Sequence, residues 1–283
     1  MSFSFLSSAN ARPVALLTGA AGGIGTCLTS RLVAAGYHVL ALSRKGDTPA
    51  QEHVSALACD LTHPAQSEAI FTALKADGVS IRVLVHCAGV ITPQRMGACD
   101  TAYVSTQLAV NLEAPIFLTM QALALMPRGG RIVFVNSMAA LVPLEGSSIY
   151  TASKFGLRGF ALSLAQDVRS RGISVSSVFP GAVDTPMLHR EMENGGSVLN
   201  FVTPPATADD IAQIVEKLIK RPRLEVFCPS ADGVLAQFML MMPRVWRLIL
   251  PILLKKGLKG KKKYLDKKSK CGFGEPHCLS LSG

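Results

Sequence analysis

The chain has 283 residues, 49% of them hydrophobic, and a formal net charge of +10 at pH 7. That length and apolar content fill a sizeable core, and glycines scattered without a fixed period exclude a collagen-like or low-complexity polymer. Nine lysines against Asp266 and Glu275 put +7 of the +10 into residues 251–283, so the basicity is a tail rather than a groove and no nucleic acid is expected as partner.

The seven cysteines form no Cys-x-x-Cys pair, and the six histidines form no His-x-x-x-His or mixed cluster, so no metal site is expected. The opening MSFSFLSSANARPVALL lacks a charged start followed by a long apolar run. A reduced, cytoplasmic setting is the expectation.

Short apolar runs alternate with amphipathic ones from residue 13. VALLTG predicts a first strand, and GTCLTSRLVAAG a helix ending at Gly36. HVLALS and VSALACDL predict strands two and three, and HPAQSEAIFTALKADG a helix opened by a proline. IRVLVHCAG predicts the fourth strand, followed by one long helix around residues 101–126. GGRIVFVNS is the fifth strand, residues 149–172 the next helix, ISVSSVFPG the sixth strand and LEVFCPS a seventh. Continuous apolar strands between helices predict an α/β fold, a doubly wound parallel sheet of the Rossmann type with ligands at the carboxyl ends of its strands. No proline- or serine-rich linker divides residues 13–235. They read as one domain, with residues 236–283 as an apolar, then lysine-rich extension.

TGAAGGIG follows the first strand, with Gly19, Gly23 and Gly25 at turn spacing. Residues without a Cβ let the backbone approach a pyrophosphate, and the helix start offers free N–H groups. An ordinary tight turn fits the bare pattern too; its place after the first strand of an alternating chain favours a dinucleotide. At the end of the second strand Ser43 stands where an acidic residue would accept from ribose hydroxyls, and Arg44 and Lys45 follow. A guanidinium fork and an ammonium suit a 2′-phosphate, which points to NADP(H).

The ordered set TGAAGGIG, CDL, HCAG, NLEAP, VNS, YTASK and PGAVDT resembles the short-chain dehydrogenase/reductase family over residues 13–230. The resemblance implies a homo-oligomeric oxidoreductase acting on a small carbonyl or alcohol, with Thr18 and Ile24 joining the glycines around the coenzyme. It places Asp60 and Leu61 at the adenine, Ala88 and Gly89 on the adenosine side, and Pro180, Gly181, Val183 and Thr185 near the nicotinamide. HCAG departs from the family's usual Asn-Asn-Ala-Gly, and His86, at a buried strand end, reads as a packed, hydrogen-bonded side chain.

Tyr150 and Lys154 are four apart, which on a helix is about 6 Å along one face. A phenol titrates near about 10, too high for easy exchange at neutral pH, and an adjacent ammonium with oxidised nicotinamide is expected to lower it. The resemblance makes Ser137, Tyr150, Lys154 and Asn111 the catalytic set. Ser137 holds the substrate oxygen, Tyr150 moves the proton, Lys154 donates to the ribose, and the Asn111 carbonyl holds a water that continues the proton route.

Residues 186–205 fall where the family carries a substrate lid. Met187, Leu188, Met192, Leu199 and Phe201 give it apolar patches that either pack on an apolar ligand or close the core, while His189 and Arg190 read as solvated. The apolar stretch before the lysines is interrupted by Pro243, Arg244, Arg247 and Pro251, against a bilayer crossing. A helix over 236–268 lying on a membrane, with Trp246 and leucines down and lysines toward anionic lipid, is one reading. A dimer contact or a pocket cover is the other. The final SKCGFGEPHCLSLSG reads as disordered. An apolar lid and tail suggest a lipophilic substrate, such as a steroid, a retinoid or an acyl derivative. A 3-oxoacyl carrier-protein reductase and a non-catalytic NADP(H)-binding sensor or membrane-surface scaffold stay open beside it.

Overall fold

The computed structural model describes Phe3, Leu6 and residues 12–270, with only the backbone at positions 239, 241, 243, 246 and 270. The chain's first residues, the Trp246 side chain and the closing stretch from 271 therefore lie outside the described residues. In chain order the elements are β1 (Val14–Thr18), α1 (Gly23–Ala34), β2 (His38–Ser43), β3 (Val54–Ala58), α2 (Pro64–Ala76), β4 (Ile81–His86) and α3 (Thr101–Leu108). Then come α4 (Ala114–Leu123), β5 (Arg131–Val135), α5 (Ser148–Asp167), β6 (Ser174–Pro180), β7 (Val183–Asp184), α6 (Pro186–Glu193) and β8 (Ala206–Thr207). The chain continues through α7 (Ala208–Lys220), β9 (Glu225–Cys228), α8 (Ser230–Met241) and α9 (Pro243–Lys270).

The main sheet is seven-stranded in the order β3-β2-β1-β4-β5-β6-β9, and every pairing in it is parallel. The strand order reverses between β1 and β4, which opens a crevice at their carboxyl ends. The central strands β1, β2, β4, β5 and β6 bury both faces and read as largely apolar runs, whereas the edge strands β3 and β9 are only partly buried. Leu16, Leu84 and Phe134 face a layer holding Leu74 of α2, Leu118 of α4 and Leu157 of α5. Ala15, Leu17, Val83 and Val133 face Leu28 of α1 and Val215 of α7.

Two stretches differ from the sequence expectation. The single helix over 101–126 is instead α3 and α4 joined by a π-helical turn at Ala109–Glu113, a wide turn that changes where the backbone groups around Asn111 point. Helix α7 was not expected, although its start is marked. The Thr207 hydroxyl accepts from the Asp210 amide while the Asp210 carboxylate accepts from the Thr207 amide, the reciprocal cap that starts helices. In the tail, Pro243 takes the first position of α9 and the helix runs on through Pro251. Among the described residues no helix is long and apolar enough to cross a membrane.

Candidate active site

The turn after β1 is built for close backbone contact. Gly19 has φ +70°, and a Cβ there would lie 2.7 Å from the Ala88 Cα. A Cβ on Gly25 would lie 2.1 Å from the Gly19 carbonyl oxygen, and one on Gly23 would lie 2.8 Å from the Thr185 side chain. These are distances that no side chain tolerates, so the turn, the end of β4 and the Pro180–Thr185 segment form one cradle only because the positions are glycine. Thr18 ties the two strands, its hydroxyl accepting from the Cys87 and Ala88 amides at 3.1 Å each.

Ser43 is buried at the end of β2 and donates to the Asp47 carboxylate at 2.9 Å. Sequence reading placed no acid there; the loop after β2 folds Asp47 back onto the serine. Arg44 and Lys45 are exposed beside it. Asp60 accepts from the Thr62 amide and hydroxyl, which hold its carboxyl below the usual range with a smaller contribution from Arg44. Leu61 packs against the core.

Ile24, Ala88, Gly89, Ser137, Tyr150, Lys154, Pro180, Gly181, Val183 and Thr185 line one cavity of about 230 Å³. Thr18, the three glycines, Ser43, Arg44, Lys45, Asp60 and Leu61 lie outside that cavity, along the turn and at the ends of β2 and β3. Asn111 is wholly buried behind it, its side-chain amide closing on the Val90 backbone with bonds of 2.9 and 2.8 Å. A Cβ on Gly89 would lie 3.4 Å from Asn111 Oδ1 and 3.8 Å from Lys154 Nζ, so Asn111, Gly89 and Lys154 meet at one point.

Helix α5 carries Tyr150 and Lys154 on one face, and the lysine Nζ stands 5.6 Å from the tyrosine ring centroid. Ser137 begins a 3-10 turn after β5, its hydroxyl accepting from the Ala139 amide at 3.1 Å. Burial pushes the Tyr150 phenol up to about 12, opposed by hydrogen bonding to Ser137 and reinforced by the nearby Glu191 carboxylate. Burial also draws the Lys154 ammonium down to about 8. The lowering expected from the sequence is for a phenol beside both the ammonium and oxidised nicotinamide. In the protein alone desolvation sets the direction for the phenol, and the same burial disfavours the ammonium.

His86 is buried, stacked on Phe134 at 4.8 Å and hydrogen-bonded to the Thr119 hydroxyl at 2.9 Å. Burial lowers its imidazole to about 3, so it stays neutral and packed.

The substrate side holds groups that no sequence motif marked. Glu191 is buried at the cavity, accepting from the Asn200 amide at 2.7 Å, and burial raises its carboxyl. Met187, Leu188 and Leu199 line the cavity, whereas Phe201 is buried against the Tyr264 ring. His189 is not free in solvent as expected: its Nε2 lies 2.7 Å from Asp184 Oδ1. Leu235, Ile249 and Leu253 also line the cavity, which brings α8 and α9 to it.

A short chain dehydrogenase family model matches residues 13–195. The chain belongs to the short chain dehydrogenase family. It is an oxidoreductase of that family, whose members act on small molecules. It is 32% identical over 182 residues to 3-oxoacyl-[acyl-carrier-protein] reductase FabG of Salmonella typhimurium, covering 62% of this chain and 75% of that protein. Acetoacetyl-CoA reductase of Allochromatium vinosum is 29% identical over 187 residues, covering 62% and 76%. A short chain dehydrogenase from Burkholderia cenocepacia in complex with NADP superposes with TM-score 0.67 at 27% identity, covering 76% of this chain and 95% of that one. The family match ends at residue 195, short of α7, β9, α8 and α9.

Proposed function

We propose that the protein is an NADP(H)-dependent oxidoreductase that interconverts a carbonyl and a hydroxyl on a lipophilic small molecule. One observation carries this reading: Ser137, Tyr150 and Lys154 share a single cavity with the aliphatic side chains of Leu199, Leu235, Ile249 and Leu253. The turn of Thr18, Gly19, Gly23, Ile24 and Gly25 fits a dinucleotide, because glycines packed this closely on Ala88 and Thr185 leave bare backbone at the start of α1 for a pyrophosphate to approach. Ser43, Arg44 and Lys45 receive the 2′-phosphate, Asp60 and Leu61 the adenine, and Ala88, Gly89, Pro180, Gly181, Val183 and Thr185 the remainder. When bound, the nicotinamide supplies or accepts a hydride.

The chain's own residues handle the proton. Ser137 holds the substrate oxygen, and Tyr150 donates to it during reduction. Burial keeps the phenol protonated across neutral pH, the form a reduction requires. Lys154, beside Gly89 and Asn111, stands where a proton returns from the interior side.

The tail supports contact with an anionic membrane surface. Leu248, Ile252, Leu258 and Leu265 of α9 are exposed among Lys255, Lys256, Lys259 and Lys262, the composition of a helix lying in a headgroup layer. A cytoplasmic homo-oligomer attached peripherally to a membrane fits this reading.

Oxidation of NADPH by the purified protein against ketones, aldehydes and acyl thioesters tests the reading. Turnover of lipophilic ketones with NADPH preferred over NADH is expected; a preference for NADH, or no turnover at all, overturns it. A second reading, reduction of 3-oxoacyl carrier protein, is favoured by the FabG relative and by lysines suited to an acidic carrier. Its signature is acyl-thioester reduction that weakens steeply with salt.

A further inference from the structure

Helix α9 presents two different faces. Ile249, Leu253, Gly257, Gly260, Tyr264 and Lys268 follow at spacings of four, four, three, four and four, which is one continuous stripe. The first two line the cavity. At the next turns the helix backbone rests on the 3-10 turn Val198–Phe201: a Cβ on Gly257 would lie 2.2 Å from the Val198 carbonyl oxygen, and one on Gly260 1.9 Å from that of Phe201. Glycine is a poor residue inside a helix, by about 1 kcal/mol against alanine, and here it is what admits the contact.

The stripe ends in polar groups. The Tyr264 ring packs on Phe201 with centroids 5.4 Å apart, and its hydroxyl donates to Asp184 Oδ1 at 2.7 Å. Lys268 reaches the same oxygen at 3.2 Å, and His189 lies 2.7 Å from it. Asp184 sits between Val183 and Thr185, both of which line the cavity.

We propose that α9 is the seated roof of the substrate site and the element that sets which substrates fit. Ile249 and Leu253 form the wall on which the apolar body of the substrate rests. The Gly257–Gly260 seat and the Asp184 latch fix that wall relative to Tyr150 and Ser137. A carbonyl held at Ser137 leaves the rest of the molecule to run under α9, along a wall of aliphatic side chains, so chain length and bulk are read there. This inference rests on the cavity being a lipophilic substrate site.

Two measurements on the full-length protein test it. The first is amide hydrogen exchange in wild type, Gly257→Ala and Gly260→Ala. Alanine favours the helix itself, so any loosening reports the lost seat. Exchange over 197–203 should rise at least ten-fold in both variants with α5 unchanged, and unaltered exchange in both would overturn the seat.

The second compares Leu253→Asp on the inner face with Leu248→Asp on the outer. Affinity for the apolar dye 1-anilinonaphthalene-8-sulfonate and KM for 2-dodecanone should each worsen at least ten-fold in Leu253→Asp. Leu248→Asp should change dye affinity less than two-fold. Equal effects from the two variants would overturn the roof. If wild type reduces no ketone while the exchange and dye results hold, the substrate reading fails and the roof stands.

Discussion

Helices α5 and α9 border the same cavity but are held in different ways. In α5, Leu157, Ala161 and Leu164 are buried in the core, Ser153 and Lys154 are buried beside them, and Arg158 pairs with Glu225 through bonds of 2.7 and 2.9 Å. Helix α9 rests on one short turn through two glycines and one carboxylate, with leucines and lysines turned outward. A proton donor must keep its place to a fraction of an ångström, and only dense packing on a sheet secures that. A substrate wall tolerates exchange of its side chains, and lightly held elements open at lower free energy. The contrast assigns chemistry to the body of the fold and selectivity to its attachment.

The deepest cut into the α5 side is Tyr150→Phe. Turnover should fall about 10²- to 10⁴-fold while NADPH still binds, as followed by nicotinamide fluorescence; full activity in that variant removes Tyr150 from the mechanism. Next in size is Arg44→Ala. Charge-assisted hydrogen bonds contribute about 1.5–3 kcal/mol, so Kd for NADPH should rise about ten- to a hundred-fold with NADH little changed. A parallel loss for both coenzymes would remove the 2′-phosphate assignment.

A third experiment probes the rigid body through pH. The folded His86 imidazole takes a proton only near about 3, whereas the unfolded one does so near 6.5. The unfolded chain therefore binds the extra proton between those values, and stability falls as pH drops through that window. His86→Asn should flatten the pH dependence of the urea midpoint there by close to one proton, about 1.4 kcal/mol per pH unit at most. An unchanged slope would mean that another group titrates.

The smallest effect is expected on the outer face of α9. Lys262→Ala should weaken sedimentation with phosphatidylserine vesicles by about five-fold, near 1 kcal/mol per lysine. Failure of wild type to bind such vesicles at low salt would leave α9 as roof alone.

The central strands were legible because they are buried on both faces and so leave apolar runs bounded by turn residues. The glycine turn and the Tyr150–Lys154 pair were legible because their spacing is local. Helix α7 had a visible signal in Thr207 and Asp210, a capping pair before an amphipathic run. The π-helical turn at Ala109–Glu113 left none, since a change in hydrogen-bond register needs no change in residue type. The burial that pushes the Tyr150 phenol up was not legible, because a neighbour four residues away shows in the sequence and the depth of burial does not.

The sequence by itself determined the α/β order, the cradle for a dinucleotide and the helix face that carries the phenol and the ammonium, all relations within about a turn of chain. Tertiary structure alone decided that Asp47 folds onto Ser43, that Glu191 is buried at the cavity, and that Tyr264 meets Asp184 across 80 residues. Such contacts depend on where whole elements dock. A glycine in a lysine-rich helix reads as a weak point until the carbonyl beneath it is known.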